Sequence, residues 1–392
     1  MCNLKTIFVL IITSAFISCN DFDSPSSENI FIDTDSIEER YDISSIIENV
    51  TLLPLKEKSG SFIGEPYKVF RVGQNTIVFD KIKSKRIVVF DKNGNYLAKP
   101  AEVGRSLEDP LQLNDCWIDL NEELQVYDFS AKKIYKYDKQ FNLKEAFQSD
   151  YDRIFNALLD DKNNKYIGYK GYSPYNSYIE KENYKIALLD NNLAMIKKFM
   201  PYNQKLNDAL VPNTNLPLQR IDNSINIIQS FSNSIYRLKD EKLIEKYKLT
   251  YSKASLADFE KNILIPKHLI LTSQKPDLKM ISSLFNGYYT FKGDWKETNN
   301  YIILQSFDPT GKVFYSIYDK LKKKVLINAY ELTFDDKKSL VPSFMTTSFK
   351  TNEFIAVYPG YMLKPVISKD SKYISNIIDN LEINYVLNIK FK

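Results

Sequence analysis

The chain contains a repeat in which a short apolar run ends at an acidic residue and a second apolar run follows. The first runs begin 47, 52 and 49 positions apart, counted along Ile87, Ile134, Ile186 and Ile235. This spacing is close to the roughly 40 to 50 residues that one four-stranded propeller blade occupies. The five copies of the repeat lie at 86–91, 133–138, 185–190, 234–240 and 314–319. The repeat therefore predicts an all-β chain folded as a β-propeller.

The central run of each copy indicates a strand that is buried on both faces. Ile87-Val-Val-Phe90 is apolar at every position, as expected of a blade that lies between two neighbouring blades. Asn93-Gly94 follows as a hairpin turn, since both residues tolerate positive φ. The strands predicted before the central runs lie at 76–79, 124–127, 166–169, 225–228 and 301–304.

The interval from Ile235 to Phe314 is longer than the others, at 79 positions, and this predicts an insertion rather than a further blade. Residues 255–258 have the form of a helix capping pair. Leu256, Phe259 and Ile263 recur at helical spacing after it. The insertion is therefore predicted to be helical.

The two ends of the chain are predicted to form the sixth blade together. Strands at 353–358 and 385–391 would pair with an early strand at 50–55, and a second short helix would cover 370–381. Pairing strands from both ends closes the ring and removes exposed sheet edges. The expected fold is a six-bladed β-propeller with short helical insertions.

The start of the chain resembles an export signal. Lys5 precedes an apolar stretch at 7–17, which is too short to span a bilayer. Phe16-Ile17-Ser18-Cys19 resembles the lipobox of bacterial lipoproteins, which implies cleavage before Cys19 and acylation of its thiol. The alternative is an ordinary signal peptide with a coincidental cysteine. The expected organisation is a signal peptide at 1–18, a lipid-anchored tether at 19–29 and the propeller at 30–392.

The order of these features resembles the six-bladed β-propeller lipoproteins of Bacteroidetes-type bacteria, which are similar to NHL-repeat propellers. Asn20-Asp-Phe-Asp23 resembles the acidic surface-export tag of such lipoproteins. The resemblance implies a lipid-anchored location at the outer membrane, facing either the cell surface or the periplasm. One departure is the loop at 104–110, which lacks the Gly-Pro pair that many relatives carry. Any role of that loop in relatives is therefore not transferred to this chain.

Composition excludes several classes of function. Net charge is +4, with 53 basic residues scattered among 49 acidic ones, so no nucleic-acid partner is expected. The single histidine, His268, argues against multi-histidine metal sites and histidine acid–base clusters. No phosphate loop or nucleophile elbow is present, and we expect no cofactor. Cys116 is expected to be a buried apolar residue.

Acidic residues recur where predicted strands end, and there we expect carboxylates to accept hydrogen bonds from turn backbone. The alternatives are a calcium site or an acid–base pair at the mouth of the channel. The residues concerned are Asp80, Asp91, Asp128, Asp138, Asp190 and Asp319.

Three aromatic segments, at 171–178, 286–295 and 358–363, are rich in turn-forming residues. Loops of this kind can present rings to a ligand beside polar groups. The alternative is that the rings lie within strands or cover blade edges. The predicted ligand platform comprises Tyr172, Tyr175, Tyr288 and Trp295, with Arg105 as a polar neighbour.

These observations favour a non-catalytic binding or scaffolding module for a glycan, a peptide or a partner protein, attached to the membrane by its N-terminal lipid. The competing interpretation is a propeller enzyme, a lyase or hydrolase with carboxylates and tyrosines at the channel mouth. A third is a structural subunit of a surface complex. The position of the aromatic and acidic residues on the ring discriminates among them.

Overall fold

Six antiparallel blades make up the fold, which confirms the predicted six-bladed β-propeller. The structure is a computed structural model, and it describes residues 27–104, 106, 109–148, 155–171, 184–202, 214, 216–221, 224–255, 287–334, 346–347, 353–363 and 380–392. The helices predicted from Leu256 and at 370–381 lie outside the described residues, apart from the last two positions of the second. No helix in the described ranges is long and apolar enough to cross a membrane.

The N-terminal segment contributes three strands and two short 3-10 turns. The strands are β1 (Glu28–Ile32), β2 (Glu38–Asp42) and β3 (Ile47–Pro54). The 3-10 turns cover Thr34–Ser36 and Ile43–Ser45. Asp33 and Asp42 cap these turns by accepting hydrogen bonds from the backbone N–H groups of Asp35 and Ser44.

Blades 1 to 3 each contain four strands in chain order. Blade 1 consists of β4 (Lys68–Val72), β5 (Asn75–Asp80), β6 (Arg86–Phe90) and β7 (Tyr96–Glu102). Blade 2 consists of β8 (Asp115–Ile118), β9 (Leu124–Asp128), β10 (Lys133–Tyr137) and β11 (Leu143–Gln148). Blade 3 consists of β12 (Ala157–Asp160), β13 (Tyr166–Tyr169), β14 (Tyr184–Leu189) and β15 (Met195–Pro201).

Blades 4 to 6 also use strands from the N-terminal segment. Blade 4 contains β16 (Leu218–Ile221), β17 (Ser224–Ile227), β18 (Ser234–Lys239) and β19 (Lys242–Tyr251). Blade 5 contains β20 (Thr290–Glu297), β21 (Tyr301–Phe307), β22 (Val313–Asp319) and β23 (Lys324–Thr333). Blade 6 contains β24 (Thr346–Thr347), β25 (Glu353–Pro359) and β26 (Asn384–Phe391), with the short helix α1 (Gly360–Leu363) after β25.

The ring is closed by β3, as the sequence predicts. This strand pairs antiparallel with β26, and Val50 lies opposite Ile389. Immediately after β3, the Lys56 N–H donates to the Gly94 carbonyl at 2.7 Å, which connects blade 6 to blade 1. Gly94 has a φ of +75°, and a Cβ at this position would lie 2.0 Å from the Pro54 carbonyl oxygen. The predicted Asn93-Gly94 turn therefore also requires glycine for the closure.

The sequence analysis did not anticipate β1 and β2. Both are fifth, outermost strands that pair parallel with existing blades, β1 with β19 of blade 4 and β2 with β23 of blade 5. The N-terminal segment therefore follows the outside of blades 4 and 5 before it closes blade 6. Glu28 and Asn29, which the sequence analysis assigns to the tether, belong to β1.

The core lies between the blades. The central strand β6 is buried from Ile87 to Phe90, which confirms that neighbouring blades cover both of its faces. Cys116 is completely buried in β8, as expected, and burial raises the pKa of its thiol well above the ordinary value. A neutral, inaccessible thiol is unreactive, so Cys116 acts as a packing residue.

The acidic residues at strand ends hold turns, as predicted. Asp80 shows this most fully, because its carboxylate accepts from the backbone N–H groups of Gly64, Glu65, Ile82, Lys83 and Ser84. Asp91, Asp128, Asp138, Asp190 and Asp319 accept in the same way. These carboxylates are committed to backbone groups.

Candidate functional site in the central channel

A channel runs between the innermost strands of five blades. It is lined from β4, β8, β12, β16 and β20, and the residue that precedes β16 also contributes. Its unfilled space is about 550 Å³ including the open mouth, of which about 50 Å³ is wide enough to admit water. The lining residues are Lys68, Phe70, Asp115, Cys116, Trp117, Leu158, Leu159, Leu216, Leu218, Gln219, Arg220 and Lys296. A space of this width holds a few water molecules or one small polar group.

A buried ion pair occupies the side of the channel formed by blades 1 and 2. The Lys68 ammonium donates to Asp115 Oδ1, and it also donates to the Cys116 carbonyl at 3.3 Å. The other carboxylate oxygen of Asp115 accepts from the Leu158 N–H at 3.0 Å, which extends the network to blade 3. Burial alone would lower the pKa of Lys68, but the Asp115 carboxylate outweighs it together with smaller contributions from Cys116 and Tyr67, and the pKa is raised. Lys68 therefore stays charged.

A second buried pair links blades 3 and 4. Arg220 Nη2 donates to Asp160 Oδ1 and to the Asp160 carbonyl, both at 2.6 Å. Burial raises the pKa of the Asp160 carboxyl to about 6, although the Arg220 guanidinium opposes the shift. A buried carboxyl with a perturbed pKa is a candidate functional group.

Three buried polar atoms of lining residues lack a hydrogen-bond partner among the residues that the structure describes. They are Trp117 Nε1, Gln219 Oε1 and Arg220 Nε. Trp117 Nε1 lies close enough to Asp160 to lower its pKa, but it does not reach hydrogen-bond geometry. Buried polar groups are nearly always paired, because an unmade hydrogen bond costs about 1–3 kcal/mol. We therefore expect water or a ligand group in the channel to form hydrogen bonds with these three atoms.

Glu297, at the end of β20, lies at the centre of a polar cluster between blades 4 and 5. Its side chain is completely buried. Oε1 accepts from Lys246 at 3.0 Å, from Lys320 at 2.9 Å and from the Tyr247 hydroxyl at 3.1 Å. Burial would raise the pKa of Glu297, but the two ammonium groups outweigh it and the pKa is lowered. This carboxylate has all its partners and acts as a structural link between the blades.

The structure corrects the prediction for Trp295. This residue lies within β20 and not in a loop, and it is 0% exposed. Its ring packs against Tyr247 and Phe291, and its indole N–H donates to Glu297 Oε2 at 3.3 Å. The aromatic segment at 286–295 is therefore partly a buried strand, so Trp295 cannot present its ring to a ligand.

The other platform residues are only partly within the described chain. Tyr288 precedes β20 and is 44% exposed, so it remains accessible. Tyr172, Tyr175, Arg105 and the lipidation residue Cys19 lie outside the described residues, as does His268. No group of three or more His, Cys, Asp or Glu side chains in the described ranges could hold a metal ion.

The sequence analysis did not single out the channel residues as a site. Asp115 and Trp117 flank Cys116, for which only packing was expected, and Asp160 and Arg220 lie 60 positions apart. The available signal was that charged residues stand in the first strand of consecutive blades, where the ring brings them to the axis. That signal becomes readable only when the first strand of each blade is known.

Comparisons with solved structures found similar chains of low sequence identity. A protein from Bacteroides fragilis described as exported is 12% identical, with a TM-score of 0.66 over 94% of this chain and 100% of that one. A member of the DUF4221 family from Bacteroides vulgatus is 9% identical, with a TM-score of 0.46 over 88% and 97%. A gluconolactonase from Xanthomonas campestris is also 9% identical, with a TM-score of 0.45 over 88% and 92%. At these identities the likeness concerns the fold alone.

No curated protein matches this chain. One family model does, and it spans residues 28–390, from the first residue of β1 to the penultimate residue of β26. The match covers all six blades. The chain therefore belongs to the family described as a domain of unknown function, DUF4934.

Proposed function

We propose that this protein is a lipid-anchored, non-catalytic binding module of the outer membrane. It receives a polar group of a glycan, a peptide or a partner protein at its central channel. The observation that carries the proposal is that three residues lining one channel each have a buried polar atom without a described partner, namely Trp117 Nε1, Gln219 Oε1 and Arg220 Nε. The channel is too narrow for a sugar ring or a side chain of large volume, so the bulk of the ligand lies at the mouth.

The charged groups of the channel support binding over catalysis. Lys68 is held by Asp115, and Lys296 by Asp294 at 2.9 Å. Each ammonium is already paired with a carboxylate, so neither lysine is a free nucleophile. The two paired lysines hold the channel lining in place. The Trp117 indole N–H, the Gln219 amide oxygen and the Arg220 guanidinium are left to recognise a polar group.

The test compares two tryptophan variants. Trp117→Phe removes the unpartnered N–H and keeps an aromatic ring, whereas Trp295→Phe makes the same change in volume but removes an N–H that is bound within the core. After a glycan and peptide array has supplied a ligand, Trp117→Phe should weaken its affinity about tenfold, the value of one lost hydrogen bond in a buried site. Trp295→Phe should lower thermal stability and leave affinity intact. Unchanged affinity in Trp117→Phe contradicts the channel as the site.

One observation favours the enzyme as a second candidate. Asp160 has a pKa of about 6, and it lies near the Tyr166 hydroxyl, whose own pKa is raised by burial and by that carboxylate. A carboxyl that titrates near 6 could act as a general acid in a lyase or hydrolase. Asp160→Asn should then abolish turnover of a substrate while preserving its binding. Retained turnover excludes this role.

The anchor is tested separately through Cys19, the only residue of the lipobox-like segment with a thiol for the thioether. The wild-type protein should incorporate a fatty-acid probe and sediment with membranes. Cys19→Ala should do neither, because it lacks the thiol that is acylated. The wild-type protein should sediment because the several acyl chains of a lipoprotein hold a protein to the membrane far more firmly than one chain does. A wild-type protein without label contradicts the anchor and leaves the channel proposal untouched.

A further inference from the structure

The turn between β22 and β23 of blade 5 carries the most exposed large apolar side chain in the described part of the chain. In the corresponding turns of blades 2 and 3 the apolar residue is buried, since Phe141 is 6% exposed and Leu193 is 2% exposed. Leu321 is 78% exposed. The Asp319 carboxylate accepts from the N–H groups of Leu321 and Lys322, both at 2.9 Å. These bonds hold the turn in a shape that presents the leucine to the outside.

Basic residues flank this leucine. The turn reads Lys320-Leu-Lys-Lys-Lys324. Lys320 donates to Glu297 inside the protein, but the other three lysines are exposed. Lys322 pairs with Asp319 at 3.2 Å, whereas the last two form no ion pair with any residue in the described part of the chain. An apolar tip flanked by lysines suits a membrane interface, where the ammonium groups reach lipid phosphates.

The basic turn lies beside the first strand of the propeller. A groove of about 360 Å³ is lined by Asn29 and Phe31 of β1 and by Lys323 and Lys324 of the turn. Phe31 is itself 53% exposed. The point at which the chain enters the propeller and the basic turn therefore border one surface.

The acidic residues near this surface leave the tip of the turn positive. Glu28, the first residue of β1, accepts from the Tyr318 hydroxyl. Asp33 and Glu38 also line the groove, but at its other end. There Asn328 donates to the Asp33 carbonyl, and Glu38 begins β2. The two unpaired lysines at the tip thus keep a positive charge that favours lipid phosphates.

The tether determines which side of the propeller an anchor holds nearest the bilayer. From Cys19 to Glu28 is nine positions, which reach at most about 30 Å when fully extended. The tether carries Asp21 and Asp23, whose repulsion from lipid phosphates the lysines of the turn offset. The innermost strands contact one another in ring order, so blades 4 and 5 lie across the ring from blades 1 and 2. An anchor before β1 therefore brings the rim of blades 4 and 5 to the membrane.

We propose that the rim formed by β1 and the blade 5 turn is the membrane-facing surface of the protein. Leu321 enters the interface of the bilayer, and Lys322, Lys323 and Lys324 contact lipid phosphates. The placement rests on the lipid anchor of the proposed function, but it does not depend on ligand binding in the channel. A propeller held at this second point no longer turns freely on its tether, so the direction in which its channel opens is fixed relative to the membrane.

The experiment uses residues 19–392, which contain every strand of the propeller. The chain is coupled through the Cys19 thiol to a maleimide lipid in vesicles of phosphatidylethanolamine and phosphatidylglycerol that include lipid with brominated acyl chains. Cys116, the other cysteine of this segment, is completely buried, so coupling is confined to Cys19. Chemical coupling replaces acylation. The result therefore tests the surface whether or not cells acylate Cys19, and a failed anchor is distinguished from a failed surface.

Leu321→Trp and Leu111→Trp place the same fluorescent reporter on opposite sides of the ring. Leu111 is 57% exposed and lies between blades 1 and 2. The native Trp117 and Trp295 are buried, at 2% and 0% exposed, and give a constant background. Brominated chains should quench the added fluorescence of Leu321→Trp at least twofold and leave that of Leu111→Trp unchanged. Equal quenching of the two variants, quenching of Leu111→Trp alone, or quenching of neither overturns the proposal.

The lysines of the turn are tested by replacing all three exposed ones with glutamine in the Leu321→Trp background. The matched control replaces three exposed lysines of blade 1, which are Lys83, Lys85 and Lys92. Each set contains one residue with positive φ, Lys323 in the turn and Lys85 in the control, so the two sets are matched in backbone strain as well as in charge. The turn variant should lose at least half of the quenching, and the control should retain it. Full quenching in both sets overturns the proposal.

Discussion

Glu297→Gln tests how the blades are held together around the channel. Glu297 Oε1 accepts from two lysines and a tyrosine, and Oε2 accepts from Asn226 at 2.7 Å and from Trp295 at 3.3 Å. All five partners are donors. A glutamine amide in either orientation places its own NH₂ group against donors and removes the charge that holds Lys246 and Lys320. The substitution preserves shape, so its effect reports the electrostatics of the cluster.

Breaking a buried ion pair by removing one partner costs about 3–5 kcal/mol. Unfolding entropy of about 2.1 cal/mol/K per residue over roughly 360 residues gives about 0.8 kcal/mol/K. The expected fall in melting temperature is therefore about 4–6 °C. Differential scanning calorimetry of the wild type and Glu297→Gln measures it directly.

Glu331→Gln is the matched control, because it removes the same charge from an exposed pair with Arg40. Exposed ion pairs contribute little, so this variant should melt within about 1 °C of the wild type. If Glu297→Gln also melts within about 1 °C of the wild type, the cluster does not hold blades 4 and 5 together and the reasoning is refuted.

Three further predictions follow from individual contacts. Trp295→Ala should lower the free energy of unfolding, measured with denaturant, by about 3–5 kcal/mol, as truncations of core aromatic residues do. Tyr288→Ala should leave it nearly unchanged, and equal effects of the two substitutions would contradict the assignment of Trp295 to the core. The Asp160 carboxyl has a pKa of about 6 in the folded state against an ordinary 3.8, so the folded state binds its proton more tightly than the unfolded state does. Proton binding therefore stabilises the folded state by about 3 kcal/mol below pH 4, and this stability is lost as the pH rises through 6. Asp160→Asn should remove that loss from a pH series of unfolding curves, and an unchanged pH profile would show that Asp160 titrates normally. Gly94→Ala should lower the melting temperature by several degrees, since its Cβ meets the Pro54 carbonyl, while Gly73→Ala, with a similar positive φ but open space, should lower it less.

The blade period and the closure of the ring could be predicted from the sequence because both depend on local patterns. A strand such as β6 is apolar at every position since two blades cover it, and an acidic residue such as Asp80 marks the turn that it holds. β3 could be paired with β26 because both are strongly apolar and the sixth blade lacked strands.

The outer strands β1 and β2 could not be predicted in the same way. Their burial patterns are mixed, and β2 has no fully buried residue, so neither carries the apolar signal of a blade strand. They are held by parallel pairing with β19 and β23, more than 200 residues away in the chain. Pairing at such separation leaves no local pattern.

The candidate site was hidden for a related reason. Trp295 stands beside glycine, asparagine and tyrosine in the sequence, which favoured a loop, yet residues of blade 4 and Glu297 bury it completely.

Closure of the ring by β3 is the claim on which the channel depends. Thr51 lies opposite Asn388, and their side chains are joined by a hydrogen bond of 3.1 Å. The double variant Thr51→Cys with Asn388→Cys should therefore form an intramolecular disulfide on oxidation, measured as a linked peptide by mass spectrometry. The displaced pair Thr51→Cys with Lys390→Cys should not, because Lys390 lies opposite Asn49. The predicted result is a linked peptide for the 51–388 pair and none for the 51–390 pair. Failure of the 51–388 pair to link, or equal linking of the two pairs, would contradict the closed ring.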